Sequence, residues 1–240
     1  NAPPREILDG NQMQFDIILK FENVGEQDVP GKGVNVTIEG IHPSNLKKGN
    51  GAATVQDLQH VVLSSKTPPA SLNGVKKDPE GERLPGGIDE MNFGTFSFNT
   101  TLEGNNEFPL QANVCYNYTT RAVGDFCMKQ DLTKIAAGVC EVKGTKPVFS
   151  SGGPAQVVSL DESIAGRNKV LLKFKVKATG SGNFFKPDET NPRTGSAACA
   201  KGDFAKENFV KVTVDTGVTE LTCTGLSGTP PTGSVRLNNG

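Results

Sequence analysis

The sequence predicts an all-β protein of two consecutive antiparallel β-sandwiches, and three observations carry that reading. Apolar side chains recur at every second position in short runs, the period of a half-buried strand. Glycine and proline, 28 and 15 of 240 residues, are too frequent for long helices and too irregular for collagen. One alternating strand with its turn occurs twice at a fixed spacing.

The first such strand places Phe15, Ile17, Leu19 and Phe21 on one face and ends in the turn signal Asn23-Val24-Gly25. Its counterpart places Val170, Leu172, Phe174 and Val176 ahead of Ala178-Thr179-Gly180. The offset is 155 residues for all four apolar positions and for the glycine, while Gly10 and Gly166 agree to within one residue. Equal spacing of matched positions is what a duplicated domain leaves. Other strands follow the same grammar. Val34, Val36 and Ile38 alternate before Gly40, and Phe93, Phe96 and Phe98 sit around Gly94. Leu110, Ala112, Val114 and Tyr116 alternate with Gln111, Asn113 and Cys115. Phe209, Lys211 and Thr213 alternate with Val210, Val212 and Val214, and the valines are expected to face the core. Leu221 with Cys223, and Val235 with Leu237, are the last candidates. Short strands punctuated by Gly, Pro, Asn and Asp point to antiparallel sandwiches of the immunoglobulin-like kind.

The expected organisation is a first sandwich over residues 1–140, a linker at 141–146 and a second sandwich over 147–240. Lys143-Gly144-Thr145-Lys146-Pro147 breaks both strand and helix patterns. Cys140 stands just ahead, where a disulfide across the joint would stiffen the pair. Residues 64–87, with Pro68, Pro69, Pro79 and Pro85, read as a long surface loop. A second polar insertion runs from Lys186 to Lys201. Helix is confined to Thr54–Val61 and Asp131–Ala137. The second sandwich reads as short of its closing strands, since Val235 and Leu237 lie so near Asn239-Gly240. It is either a fragment or a sandwich completed by another chain adding a strand at an open edge.

Composition narrows the function. With 25 basic and 26 acidic side chains, net charge −1 and no basic run beyond pairs such as Lys47-Lys48 and Lys76-Lys77, nucleic acid is a disfavoured partner. No apolar run approaches the roughly 20 residues that span a bilayer. No secretory leader pattern is visible, and Asn1-Ala2-Pro3-Pro4 suits a processed terminus or the edge of a longer protein. Cys115, Cys127, Cys140, Cys199 and Cys223 include no Cys-x-x-Cys and have no His nearby, so they read as disulfide candidates rather than a zinc site. Cys115 and Cys127 are placed to tie a hairpin, and the odd count leaves one thiol over.

No catalytic, cofactor or metal residue is expected. Of the two histidines, His42 precedes Pro43 in a turn and His60 adjoins Val61, neither in the setting of a triad. Asp89-Glu90 and Asp161-Glu162 are adjacent carboxylates, which a strand sends to opposite faces. Asp188-Glu189 is the best loop candidate for calcium but lacks a second cluster. Gly86-Gly87 and Gly152-Gly153 lack the helix and the Lys that grip phosphate. Glycosylation sequons stand at Asn35, Asn99 and Asn117.

Residues Phe15 to Gly25 resemble the strand of CARDB-like and related immunoglobulin-like modules in prokaryotic surface proteins. Asn113-Val114-Cys115-Tyr116-Asn117-Tyr118-Thr119-Thr120 with Phe126-Cys127 is similar to a segment of large secreted archaeal proteins built from such modules. Leu221-Thr222-Cys223-Thr224-Gly225-Leu226 is similar to a repeat in those chains. The resemblance covers about half of the chain in short pieces. It implies surface display, adhesion or assembly of an extracellular layer or filament, with copies of itself or neighbouring surface proteins as partners. It supplies no catalytic residues. The expected function is therefore a non-enzymatic extracellular structural protein. The alternative is a carbohydrate- or ligand-binding module whose site is the 64–87 loop, although sugar platforms need aromatic rings and the chain has no Trp and only Tyr116 and Tyr118.

Overall fold

The computed structural model describes residues 6–30, 34–61, 71–129, 131–132, 140–187, 199, 201–218 and 221–237. The protein is all-β, and every strand pairing among the described residues is antiparallel. Two units separate between Asn117 and Tyr118.

The first unit contains β1 (Gln14–Glu22), β2 (Val34–Glu39), β3 (Leu46–Lys48), β4 (Gly51–Ala52), β5 (Gln59–Val61), β6 (Lys76–Lys77), β7 (Arg83–Leu84), β8 (Ile88–Phe98) and β9 (Gln111–Tyr116). They form sheets ordered β1-β8-β3-β4 and β5-β2-β9, with β6-β7 a separate hairpin. The expected alternation holds in β1, where Phe15, Ile17, Leu19 and Phe21 are half-buried between exposed neighbours. In β2, Val34, Val36 and Ile38 are buried and lie opposite Tyr116, Val114 and Ala112 of β9. In β8, Phe93, Phe96 and Phe98 are all buried. Their three-residue step is explained by a bulge: the β1 register shifts between Asp16 and Ile18, and Gly94 takes φ 109° there. Only glycine accepts that conformation without strain, so the extra residue keeps all three rings on one face.

The 71–87 part of the expected loop is ordered rather than featureless; residues 64–70 lie outside the described set. Leu72 bridges Val29, and the Asn23 side chain is buried, donating to the carbonyls of Gln27 and Leu72 at 2.9 Å each. Its Oδ1 accepts the Gly25 N–H at 3.1 Å. The Asn-Val-Gly turn signal is thus a buried amide that staples two segments. Gly74 and Gly86 lie where a Cβ would collide with the carbonyl oxygens of Glu26 and Asn23, so glycine is required by close approach of the backbones. The expected helix over 54–61 is a single 3-10 turn, Val55–Leu58, running directly into β5, which pairs with β2. Four residues are too few to nucleate an α-helix, and the ladder offers the following backbone a partner. The other expected helix, 131–137, falls outside the described residues beyond 132.

The second unit contains β10 (Ala122–Gly124), β11 (Gly144–Lys146), β12 (Val148–Ser150), β13 (Ala155–Gly166), β14 (Lys169–Ala178), β15 (Phe209–Thr213) and β16 (Thr232–Arg236). The sheets are β11-β13-β14, β10-β12 and β15-β16. The unit boundary is not at the expected linker: residues 144–146 form β11, paired with Leu160–Glu162 of β13. A strand partner far along the chain overrides the local Gly and Pro signals that suggested a break. β14 alternates as expected, with Val170, Leu172, Phe174 and Val176 half-buried. Its neighbour β13 is the preceding strand and forms a hairpin with it, whereas β1 pairs with the distant β8. The repeat is one of strand and turn, not of pairing topology. The side of β16 away from β15 is bridged at one residue. Ser234 exchanges both backbone bonds with Ser227 at 2.9 Å, and Leu237 donates to Asn208 on the other side, so the intervening Val235 faces β15.

Buried apolar residues concentrate in the first unit; the described residues of the second bury only Cys127, Leu132 and Val142, with Ile164 and Val170 packed against them. Electrostatic support in the first unit centres on Asp57. Its carboxylate accepts the Thr54 N–H at 2.8 Å, the Thr54 hydroxyl at 2.7 Å and Lys48 Nζ at 3.0 Å. The Thr54 backbone bond, then its hydroxyl and Lys48, hold the carboxyl at about 2 instead of 3.8. A depressed folded-state pKa contributes stability above 3.8 that is lost as pH falls toward 2. Asp57→Asn is therefore expected to cost about 1 kcal/mol near neutrality, after discounting for solvent screening. Urea denaturation at stepped pH should show the gap to wild type closing through that window; a gap independent of pH would refute the assignment.

Candidate functional site

The most constructed group of side chains surrounds the Cys127–Cys140 disulfide, whose Cα atoms are 5.7 Å apart. Glu162 reaches it from β13. The period-two rule sends Asp161 outward, where it accepts the Thr145 hydroxyl at 2.6 Å, and Glu162 inward. The Glu162 side chain has no exposed surface. Both its oxygens accept the Cys127 N–H, at 3.1 and 3.0 Å, and Lys146 Nζ of β11 lies 3.1 Å from Oε2. Lys146 also donates to the Glu141 carbonyl. A buried carboxylate is tolerable only when charge-paired and hydrogen-bonded, and here it is both. The arrangement lashes three segments together: the chain at Cys127, the β11 strand and the β13 ribbon. It holds structure in place, with no neighbouring nucleophile among the described residues' contacts to it.

Sequence reasoning missed this pair for two identifiable reasons. Lys146 lies in a stretch that reads as a linker, and Glu162 reads as half of an adjacent acidic pair. The usable signal is parity: Leu160, Glu162 and Ile164 occupy one face, so a strand over these residues buries a glutamate that needs a cation.

The disulfide is not the expected Cys115–Cys127 hairpin tie, because Cys127 is taken by Cys140. Cys115 and Cys199 are half-cystines as well, and Cys223 is the remaining free thiol. Disulfides persist in a non-reducing environment. Among the sequons, Asn99 and Asn117 are exposed and Asn35 is half-buried in β2. His42 caps the 3-10 turn Pro43–Asn45, its Nδ1 2.7 Å from Ser44 Oγ, and so serves local backbone geometry. His60 lies in β5 opposite Val36. Asp89 and Glu90 lie on β8, Asp89 Oδ1 accepting the Glu90 N–H at 3.0 Å. Asp188-Glu189 falls outside the described residues. The Gly152 carbonyl accepts the Tyr118 hydroxyl at 2.6 Å, a Cβ on Gly153 would meet the Thr120 hydroxyl and the Tyr118 ring, and one on Gly86 would meet the Asn23 carbonyl, so each pair contains a close-approach position.

The ordered 71–87 segment borders a shallow cleft of about 290 Å³ lined by Glu22, Val24, Val75, Arg83, Pro85 and Gly86. Arg83 donates to the Val24 carbonyl at 3.3 Å. No aromatic ring lines the cleft, which leaves a sugar face nothing to stack on. Among the described residues no cluster of three or more His, Cys, Asp or Glu is placed to hold a metal, and no helix is long and apolar enough to cross a membrane. Compared with family models, curated proteins and solved structures, the chain matches none.

The lash makes a prediction. Glu162→Ala leaves the Lys146 charge and the Cys127 N–H without their partner and should cost about 3 kcal/mol. The double variant Lys146→Met/Glu162→Leu, which removes both charges, should cost clearly less. Removing the disulfide as Cys127→Ala/Cys140→Ala, a closure across a sequence separation of 13, should cost roughly 3 kcal/mol. Thermal denaturation of the set checks this; a double charge variant as damaging as Glu162→Ala would show that the pair does not act as a unit.

Proposed function

We propose that the chain is a non-enzymatic extracellular structural protein, a subunit or segment of a surface filament, layer or adhesin whose β modules are immunoglobulin-like sandwiches. The observation that carries the reading is the second unit's construction. With few apolar side chains buried among its described residues, it is held by a disulfide and by an ion pair between the fully buried Glu162 and the largely buried Lys146, which join separate segments. Small modules of secreted proteins compensate a thin core in this way. Antiparallel ladders loaded along their strands resist extension through many hydrogen bonds at once, which suits a load-bearing scaffold. The oxidised cysteines favour the cell exterior, and the exposed sequons Asn99 and Asn117 favour glycan attachment there.

Protein produced through a secretory route and kept free of reductant should sediment as a concentration-dependent series of species. Negative-stain electron microscopy of the same material should show rods or sheets. Strictly monomeric behaviour at every concentration, with or without the native glycans, would remove the proposal.

A further inference from the structure

The two repeated strands are both edges, and their chemistry is complementary. Among the described residues β1 pairs only with β8, and β14 only with β13. The outward side chains of β14 are Lys169, Leu171, Lys173, Lys175 and Lys177, all exposed. Those of β1 are Gln14, Asp16, Ile18, Lys20 and Glu22, also exposed. On the opposite face, none of the four apolar residues of either strand reaches full burial. Each edge thus shows one polar row and one apolar row that the protein leaves half covered.

Backbone parity fixes how such edges can meet. Asn23 N–H donates to Gly87 O at 3.0 Å, so alternation directs the odd-numbered residues of β1 at β8 and leaves Ile18, Lys20 and Glu22 presenting their N–H and C=O to the open edge. In β14 the sense is reversed. Thr179 N–H donates to Pro154 O at 2.7 Å, so the lysines face β13 with their backbone, and Val170, Leu172, Phe174 and Val176 present theirs outward. Val157, opposite Val176, agrees, since its N–H and C=O turn away from β14 to the Ser150 hydroxyl at 3.1 Å. An antiparallel union would set the lysine row against the apolar row. A parallel union keeps polar with polar and apolar with apolar, because there an outward-bonding residue lies opposite an inward-bonding one.

We infer that β14 of one copy pairs in parallel with β1 of a second copy, joining molecules head to tail. Of the registers that match the faces, the one that also pairs opposite charges sets Asp16 against Lys169, Ile18 against Leu171 and Glu22 against Lys175. It brings together the two exposed apolar side chains of the polar rows, Ile18 at 55% and Leu171 at 50% exposure. The same register aligns Ile17, Leu19 and Phe21 with Val170, Leu172 and Phe174. Its one like-charge contact, Lys20 against Lys173, is flanked by Glu90 and Asp161, their partners within each sheet. Two β14 edges repel one another through their lysines, so self-pairing of that edge is disfavoured and the acidic β1 edge is selected. A contact between different surfaces of identical copies is heterologous and builds rings or open filaments rather than self-complementary pairs.

This inference rests on the assembly reading above, and its test separates the two. In the full chain, Lys169→Glu/Lys175→Glu sets carboxylates against Asp16 and Glu22, while Asp16→Lys/Glu22→Lys sets ammonium groups against Lys169 and Lys175. Each variant alone should stay monomeric in sedimentation, its association weakened roughly ten- to hundred-fold. An equimolar mixture of the two should assemble again, because the carboxylates introduced on β14 of one meet the lysines introduced on β1 of the other; that recovery also shows that both fold. Lys20→Pro, which removes an N–H from the open edge of β1 without touching the bonds to β8, should block assembly. Polymers indifferent to these changes would overturn the interface while sparing the assembly reading. A mixture that fails to assemble while wild type does, a closed dimer, or a wild type that never associates would overturn the interface too.

Discussion

Antiparallel pairing imposes a parity on every residue, and the rest of this structure depends on it. A strand residue commits its side chain to one face and its two backbone groups to one neighbour, and both choices alternate together. Parity puts Phe15, Ile17, Leu19 and Phe21 on one face and sends Glu162 inside while Asp161 stays out. Where the chain needs an extra residue it inserts a bulge, as at Gly94, and so keeps three phenylalanines buried. Local chemistry then operates on positions already assigned.

The units meet the same constraint with different resources. The first fills its interior with Leu46, Phe93, Phe96 and Phe98 alongside Val34, Val36 and Ile38. Among its described residues the second buries much less, and it places a carboxylate where an apolar residue would ordinarily sit. An ion pair in that position gains little net stability over a hydrophobic pair, because desolvation offsets most of the Coulomb attraction. What it adds is specificity: Glu162 accepts only an arrangement that brings the Cys127 N–H and Lys146 together. The disulfide then limits the alternatives open to the unfolded chain.

Much of this was legible in the sequence, and the failures have physical causes. Strands with uninterrupted alternation, β1, β2, β14 and β15, could be read directly, because side-chain period is a local property. β13 could not, since a glutamate at an inward position and a bulge after Val157 break the pattern. The boundary was misplaced because Lys143 to Pro147 carries turn residues, while the partner that makes a strand of 144–146 lies in β13. Cysteine pairing depends on three-dimensional neighbours, so adjacency in sequence suggested the wrong mate for Cys127. The lysine row escaped notice for the opposite reason: its members are separated by apolar residues, and a search for runs of charge passes over a stripe that exists only on one face.

That stripe also explains why parity and charge must be read together. Lysines on an edge strand ordinarily deter pairing, which alone would make β14 a protected boundary. Protection by charge is selective, however, because it excludes only edges of the same sign. A repeated strand with carboxylates in the equivalent row escapes the exclusion, provided that backbone groups and faces can be satisfied at once. Since the hydrogen-bonding sense of β14 is reversed relative to β1, they can be satisfied only by strands running the same way. A repeated strand with two different neighbours therefore gives one molecule two unlike edges, the minimum a chain requires for an edge of one copy to select a different edge of the next.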